Sequence, residues 1–524
     1  MEQLSQASLL SGQAQQERQQ GRVDAALALW AEAIALDPRN PDHVIALTNC
    51  LTQIGRSQEA LQFCERWLEQ NSDIALLWMQ KGIIQINQLS DTQGAIDSFH
   101  AALRCDPAYT LAHEALAQIY LFRLQAEPMR FHAAQAATNA DPRSALRIQS
   151  RYLSDYAGAV ATGRRLLASN PADVETLLSM GKALYMLSRF DEAFAMLTRA
   201  VEHAPTRVDV LGPYADLLLL FGDYSAGWRR LQGVANDAHL QAIYPGIAPY
   251  LDKKWRGQPL QGKRILVAYY AGIGDNLMMA RFIRDLKAAG AYVIFASRPE
   301  LLRLMQGLEG ADEVVPSWQI ERWHELDYWV FDYLLPAHLG AAEGRIPVYR
   351  DGYLHAPAEL ATHWRSQLQQ HSGRLKVGLC WSSAPHNFSG LDRFIPPEEF
   401  AALAELDDIA WFVLQKTAAN GELAQRSGLK VHDYSGQWQD FADTSAMVEA
   451  LDLVISIDSS PLHLAGALGK PAWGLLPAAP EWRWGLAGEQ SDWYPTLRLF
   501  RQTELHCWAP LIQQVKEELL KLGV

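Results

Sequence analysis

Residues 451–469 read Leu-Asp-Leu-Val-Ile-Ser-Ile-Asp-Ser-Ser-Pro-Leu-His-Leu-Ala-Gly-Ala-Leu-Gly. The run to Ile457 is mostly apolar, the pattern of a strand buried on both faces. Asp458, Ser459 and Ser460 then supply turn and capping groups, and Pro461 suits the first turn of a helix. Small apolar residues carry that helix to Gly469, which ends it. A strand turning directly into a helix is the unit of a parallel α/β sheet. The helix's free N–H groups face the sheet's carboxyl edge, where an anion such as a diphosphate can bind. Taken alone, the serines are equally ordinary caps, and His463 is equally a histidine satisfied in the first turn.

The same alternation extends to both sides. Strands are expected at Arg264–Tyr270, Tyr292–Ala296 and Glu313–Val315, then at Lys376–Trp381 and near 411–415, 453–457, 473–476 and 497–500. Helices are expected between them, one over Leu277–Ala289, and a last one over Leu511–Leu522 that could pack on either block. Two blocks, 255–370 and 371–510, predict two Rossmann-like lobes with a cleft between them. The Pro- and Gly-containing stretch Ala242–Tyr250 marks the junction with what precedes it.

Upstream the pattern is helical and it repeats. Prolines follow the helical segments at Pro38, Pro107, Pro142, Pro171 and Pro205. Pro171 and Pro205 lie 34 residues apart, Pro107 and Pro142 lie 35 apart, and Pro38 to Pro107 spans 69, two such periods. Repeats of this length imply a solenoid of helix pairs. In the clearest unit, 174–207, small Gly181 and Ala193 let two helices approach while Leu177, Leu184 and Leu197 fill the gap. With Ala26, Trp30 and Ala33 echoing the second half of the unit, residues 8–235 resemble the tetratricopeptide repeat family. Such an array serves either as a rigid spacer or as a concave surface for a polypeptide.

Composition narrows the class. The chain has 524 residues, 49% hydrophobic and 20% charged, with a net charge of −13 and mean hydropathy of −0.12. That balance fits a folded protein and weighs against a nucleic-acid binder, which needs a basic surface. Five scattered cysteines suggest reduced thiols rather than disulfides or a metal site. The polar start MEQLSQASLLSGQAQQERQQ lacks the features of a secretory signal, and no run is apolar enough to span a membrane. A cytoplasmic, soluble protein is expected. Seventeen tryptophans are unusual. Aromatic planes can line sugar sites, although most such residues belong to cores.

Three stretches can carry chemistry. Ala271-Gly-Ile-Gly-Asp-Asn276 lies between a strand and a helix; Gly272 and Gly274 permit a tight turn, and Asp275 falls at or beside the helix N-cap. Without a third glycine this is no dinucleotide fingerprint. Asp275 is either a cap or a carboxylate facing the cleft, placed to take a proton. The second stretch is Asp458-Ser459-Ser460 with His463. The third runs from Cys380 through Ser382 and Ser383 to Arg393, where an arginine could clamp a diphosphate. Gln415 and Lys416 end another strand and face the same edge. Trp482-Arg483-Trp484 is expected to pack rather than bind.

Taken in order, Trp255-Arg-Gly-Gln-Pro, Gly-Ile-Gly-Asp275, Asp452-Leu-Val-Ile-Ser-Ile-Asp458, His463-Leu-Ala-Gly-Ala-Leu-Gly-Lys-Pro471, Glu-Trp-Arg-Trp484 and Trp493-Tyr-Pro-Thr-Leu-Arg-Leu-Phe-Arg501 resemble bacterial tetratricopeptide-repeat glycosyltransferases. The catalytic part of those enzymes is similar to the heptosyltransferases of glycosyltransferase family 9, with the GT-B fold. The resemblance covers about 250–505. It implies that Asp275 is the base, that Asp458, Ser459 and Ser460 hold the donor, and that Arg393 is the family's basic residue before x-x-Pro. Two positions depart from the family: Ser-Ser-Pro stands after Asp458, and Tyr270-Ala271 precedes the glycine loop.

The expected organisation is a solenoid over 1–240, an acceptor-side lobe over 241–370, and a nucleotide-sugar lobe with the last helix over 371–524. The expected activity is an inverting, metal-independent transfer from a nucleotide-sugar, which is a substrate; no cofactor is expected. The acceptor is expected to be a protein held in the repeat groove. The alternatives are a glycan or lipopolysaccharide acceptor, or a non-catalytic scaffold with a degenerate sugar-nucleotide module.

Overall fold

The computed structural model describes residues 2–123, 125–316, 320–382, 392–416 and 420–523. The chain divides into two compact units, Met1–Pro171 and Ala172–Val524.

The first unit is a series of helix pairs: Glu2–Gln19 with Val23–Leu36, Pro41–Gln53 with Ser57–Leu68, Ala75–Leu89 with Thr92–Cys105, Thr110–Phe122 with Ala126–Asn139, and Pro142–Arg151 with Tyr156–Ser169. Ala26, Trp30, Ala33 and Ile34 recur at helical spacing and are buried, so one face of the helix Val23–Leu36 supplies the core. Side chains of Asp91, Asp141 and Asp155 accept from free backbone N–H groups at the starts of their helices. Gly82 permits close packing, since a Cβ there would lie 2.4 Å from the Phe99 ring.

The second unit opens with two further pairs, Val174–Met186 with Phe190–His203 and Val208–Leu220 with Tyr224–Val234, followed by Asp237–Ile243. The sequence-based reading of unit 174–207 holds in detail. A Cβ on Gly181 would come within 3.0 Å of Leu197, and Leu177, Leu184, Ala193 and Leu197 are all buried. The division between compact units thus falls inside the helical array, and the last two repeats pack with the region that follows.

That region contains two sheets. Strands β1 (Arg264–Ala268), β2 (Tyr292–Ala296), β3 (Glu313–Val315) and β4 (Tyr328–Phe331) lie in the order β3-β2-β1-β4, all parallel. Strands β5 (Leu375–Cys380), β6 (Ile409–Val413), β7 (Val431–His432), β8 (Leu453–Ile457), β9 (Ala472–Leu476) and β10 (Leu497–Arg501) form a second parallel sheet, ordered β10-β9-β8-β5-β6-β7. Every residue of β6, β8 and β9 is buried, which is why they are continuous apolar runs. β4 and β7 were not anticipated. The helix expected over Leu277–Ala289 is split into Ile273–Met279, a 3₁₀ turn over Ala280–Phe282, and Ile283–Ala288. The last helix, Ala509–Lys521, packs on the second sheet's side: Lys516 pairs with Glu405 at 2.5 Å, and Arg498 of β10 pairs with Glu518 at 2.6 Å.

The halves are tied together by polar contacts, buried at Arg281 and partly exposed at Arg303. Arg281 is 1% exposed; it donates to the Trp493 carbonyl and lies 4.6 Å from the Tyr494 ring. Arg303 forks onto Asp440 and Asp443 at 2.7 Å. Gly352 and Gly469, both with positive φ, press backbone to backbone; a Cβ on Gly469 would sit 2.6 Å from the main chain at 351–352.

Candidate active site

Both sheets change winding direction beside their first strand: β1 lies between β2 and β4, and β5 lies between β6 and β8. At such a point the connections leave on opposite faces and open a crevice at the carboxyl ends of the strands. The candidate residues sit there. The glycine loop 269–276 follows β1, Asp332 follows β4, Ser382 follows β5, and Asp458–Ser460 follow β8.

A cleft of about 700 Å³ spans the two crevices. Gly272, Gly274, Asp275, Ser382, Arg393, Gln415, Lys416, Asp458, Ser459, Ser460 and His463 all line it. Ser383 lies outside the described residues. Asn276 does not line the cleft: it is fully buried behind the loop, donating to Asp332 at 2.9 Å and accepting from the Arg298 N–H.

Asp275 occupies the third position of its helix, not the N-cap, which is Gly272. One carboxylate oxygen accepts the Gly272 N–H at 3.0 Å, and the other pairs with Arg483. The helix therefore uses half of this side chain, and the other half faces the cleft. Gly274 is small for a reason of space: a Cβ would lie 2.8 Å from the His463 ring. His463 is buried, bonds the Tyr494 hydroxyl at 2.9 Å, and is pushed down to about 3 by burial and by Arg483. It is a neutral packing surface between the halves.

Across the cleft, Arg393 donates to Asp458 at 2.9 Å and to its carbonyl at 3.0 Å. Ser459 takes the N-cap position, yet its hydroxyl does not cap; it meets Ser456 at 3.1 Å and Cys380 at 3.4 Å. Gln415 turns inward, its carbonyl oxygen accepting the Trp381 and Ser382 N–H groups at 3.0 and 2.9 Å. It shapes the loop after β5. The Lys416 ammonium rests on the Trp438 carbonyl at 2.9 Å and remains on the cleft wall.

Two site residues escaped sequence reasoning. Arg483 was expected only to pack. Trp482 and Trp484 do pack, against Trp228 and His463, at ring distances of 5.3 Å each. Arg483 between them points into the cleft, pairing with Asp275 and, at 2.6 Å, with Glu481. Burial opposes its charge, and Asp275, Glu481 and Asp458 outweigh that and raise its pKa. Asp332 is the second. It is wholly buried and accepts from Asn276 at 2.9 Å, Tyr333 N–H at 2.8 Å and Tyr270 N–H at 3.3 Å, fixing both ends of the glycine loop. Burial above all raises it to about 7. A signal was present: Tyr328-Trp-Val-Phe-Asp332, an apolar run closed by aspartate, has the form of Val454-Ile-Ser-Ile-Asp458.

A second recess of about 610 Å³ lies beside the cleft. The helices Val174–Met186 and Val208–Leu220 and the segment 477–482 line it, and it shares Arg393 and Glu481 with the cleft. The Tyr185 hydroxyl donates to the Pro480 carbonyl, and Ser188 donates to the Ala478 carbonyl at 3.0 Å.

Models of the tetratricopeptide repeat match residues 17–79 and 151–208. The N-terminal helices form a tetratricopeptide-repeat solenoid. It leads into a parallel α/β region of GT-B-like architecture. The chain is 25% identical over 511 residues to the protein FlbA of Caulobacter vibrioides, covering 91% of this chain and 73% of FlbA. Among solved structures, a glycosyl transferase family 9 protein of Veillonella parvula aligns with 47% of this chain and 88% of its own, at 12% identity and a TM-score of 0.37. A tetratricopeptide repeat protein of Parabacteroides merdae aligns with 47% of this chain and 98% of its own, at 11% identity and a TM-score of 0.35. Among the described residues no helix is long and apolar enough to cross a membrane, and no three His, Cys, Asp or Glu side chains group to hold a metal ion.

Proposed function

We propose that the chain is an inverting glycosyltransferase, moving a sugar from a nucleotide-sugar to a protein acceptor without a metal. The observation that carries this reading is the meeting of Asp275 from one half with Arg393, Lys416, Asp458 and Ser460 from the other in a single cleft at two sheet switch points. A carboxylate of one half meets arginine and lysine side chains of the other, the arginines themselves paired with carboxylates, in a cleft of about 700 Å³, a size suited to a small-molecule substrate.

In this reading the donor lies against the second half, its diphosphate toward Arg393 and Lys416. Asp275 accepts the proton of the acceptor's hydroxyl as that oxygen attacks the anomeric carbon from the face opposite the diphosphate. The carbon–oxygen bond to the diphosphate breaks, and its electron pair leaves with the nucleoside diphosphate. The cationic side chains offset the charge that develops on the leaving group. The protein acceptor is supported by the recess that the last two repeats share with the cleft. Its lining is chiefly apolar, with Leu178, Tyr185, Met186, Pro213 and Trp482, and Asp209 and Asp216 are among its carboxylates. Such a surface suits a polypeptide better than an anionic lipid-linked saccharide.

Asp275→Asn tests the assignment. Transfer should be lost while the fold and nucleoside-diphosphate binding remain. Normal turnover in that variant would reduce Asp275 to a helix-capping residue.

A further inference from the structure

The charged side chains of the cleft form one continuous alternating chain: Asp458, Arg393, Glu481, Arg483, Asp275. It begins on the turn after β8, runs through the segment after β9, and ends on the glycine loop of the other half. Arg393 and Arg483 have side chains only 11% and 14% exposed, so each ion pair is largely shielded from water. Two guanidinium groups are shared among three carboxylates. The arginines best placed to meet a diphosphate are therefore already neutralised, and the candidate base is already engaged.

This arrangement cannot accept a diphosphate unchanged. Adding a multiply charged anion to a set with one excess negative charge would be repulsive. One carboxylate has to release its arginine, and the contacts decide which. Asp458 is held by two Arg393 contacts, at its side chain and at its carbonyl. Glu481 bridges both arginines. Asp275 alone comes from the opposite half, and it keeps a second partner, the Gly272 N–H, when Arg483 departs. Arg483 also has donor capacity to spare, since its Nε–H has no partner among the described residues.

We propose that Arg483 is a diphosphate-binding residue of the donor site, and that it exchanges Asp275 for the donor's diphosphate when a nucleotide-sugar binds. The inference rests on the donor-site reading above. The exchange frees the Asp275 carboxylate only after the donor has arrived, so donor binding precedes productive acceptor deprotonation. An empty cleft holds its base in an ion pair and cannot deprotonate a hydroxyl. Arg483 thereby links donor occupancy to the competence of the base.

The test is a double-mutant cycle on nucleoside-diphosphate affinity, read by calorimetry on the full chain with UDP, GDP, ADP and CDP as probes. The variants are Asp275→Asn, Arg483→Gln and the double substitution, which removes both charges together and guards against loss of fold through an orphaned buried ion. At least one diphosphate should bind the wild type. Asp275→Asn should tighten that binding roughly fivefold or more, because Arg483 no longer has to be withdrawn. Arg483→Gln should weaken it about tenfold, and in that background Asp275→Asn should have no further effect. Wild-type binding that Asp275→Asn leaves unchanged, or that Arg483→Gln does not weaken, overturns the exchange while sparing the donor site. Failure of all four probes to bind the wild type at millimolar concentration overturns the donor-site reading, and the exchange with it.

Discussion

Asp332 offers a prediction whose size follows from its surroundings. Its carboxyl group is fully buried, and burial raises it from the ordinary 3.8 to about 7, with the nearby charge of Asp275 adding to the effect and the Asn276 hydrogen bond opposing it. The sign follows from linkage: the folded chain binds a proton here more tightly than the unfolded chain, so folding stability is highest below the unfolded value and declines as pH rises toward 7. With about 1.4 kcal/mol for each unit of pKa, the loss between pH 5 and pH 8 comes to roughly 2–3 kcal/mol for this group. Other groups titrate over the same range, so the informative quantity is a difference. Asp332→Asn has no proton to lose. Urea unfolding followed by tryptophan fluorescence, at pH 5 and pH 8, should show the variant gaining on the wild type by about that amount at the higher pH. An equal response of the two proteins would refute the idea that a buried, protonatable carboxyl supports the glycine loop.

Three further expectations concern packing, organisation and chemistry. Gly274→Val should lower stability by about 1–3 kcal/mol through collision with the His463 ring and should impair nucleotide binding, both visible in a thermal melt with and without nucleoside diphosphate. Removing residues 1–171 should leave a folded remainder with intact donor turnover but poor transfer to a protein acceptor. Removing 1–235 should instead give an aggregating product, because it strips Trp228 and Tyr185 from the segment 478–482. Transfer should persist in EDTA; loss restored by manganese or magnesium would contradict a mechanism that relies on arginine and lysine.

The fold was legible where the sequence pattern is dictated by burial. β8 and its helix, 453–467, combine an apolar run, a turn and a proline at the first helical turn, and no other local structure satisfies all three. The repeats announced themselves through period and through Gly181 and Leu197, whose sizes are complementary. Short strands were the difficulty: β7 has two residues, and β4 has four lying amid aromatic side chains that suit cores of any class. The cleft residues were mostly found because they end strands. Arg483 was missed because its neighbours are tryptophans, and two packing residues conceal the polar one between them. Asp332 was missed with its strand. Gln415 lines the cleft and Asn276 lies behind its loop, and their amides are spent on backbone and on Asp332, a distinction that spacing alone does not carry.

The most direct measurement is release of nucleoside diphosphate from a panel of nucleotide-sugars by the purified full-length chain, compared with Asp275→Asn. Water can serve as the fallback acceptor, so no acceptor protein has to be known. The wild type is predicted to release diphosphate from at least one donor, and the variant to be at least 100-fold slower while still binding that diphosphate, consistent with loss of a general base. No release from any donor, or equal release by both proteins, would contradict the assignment of this cleft to glycosyl transfer with Asp275 as its base.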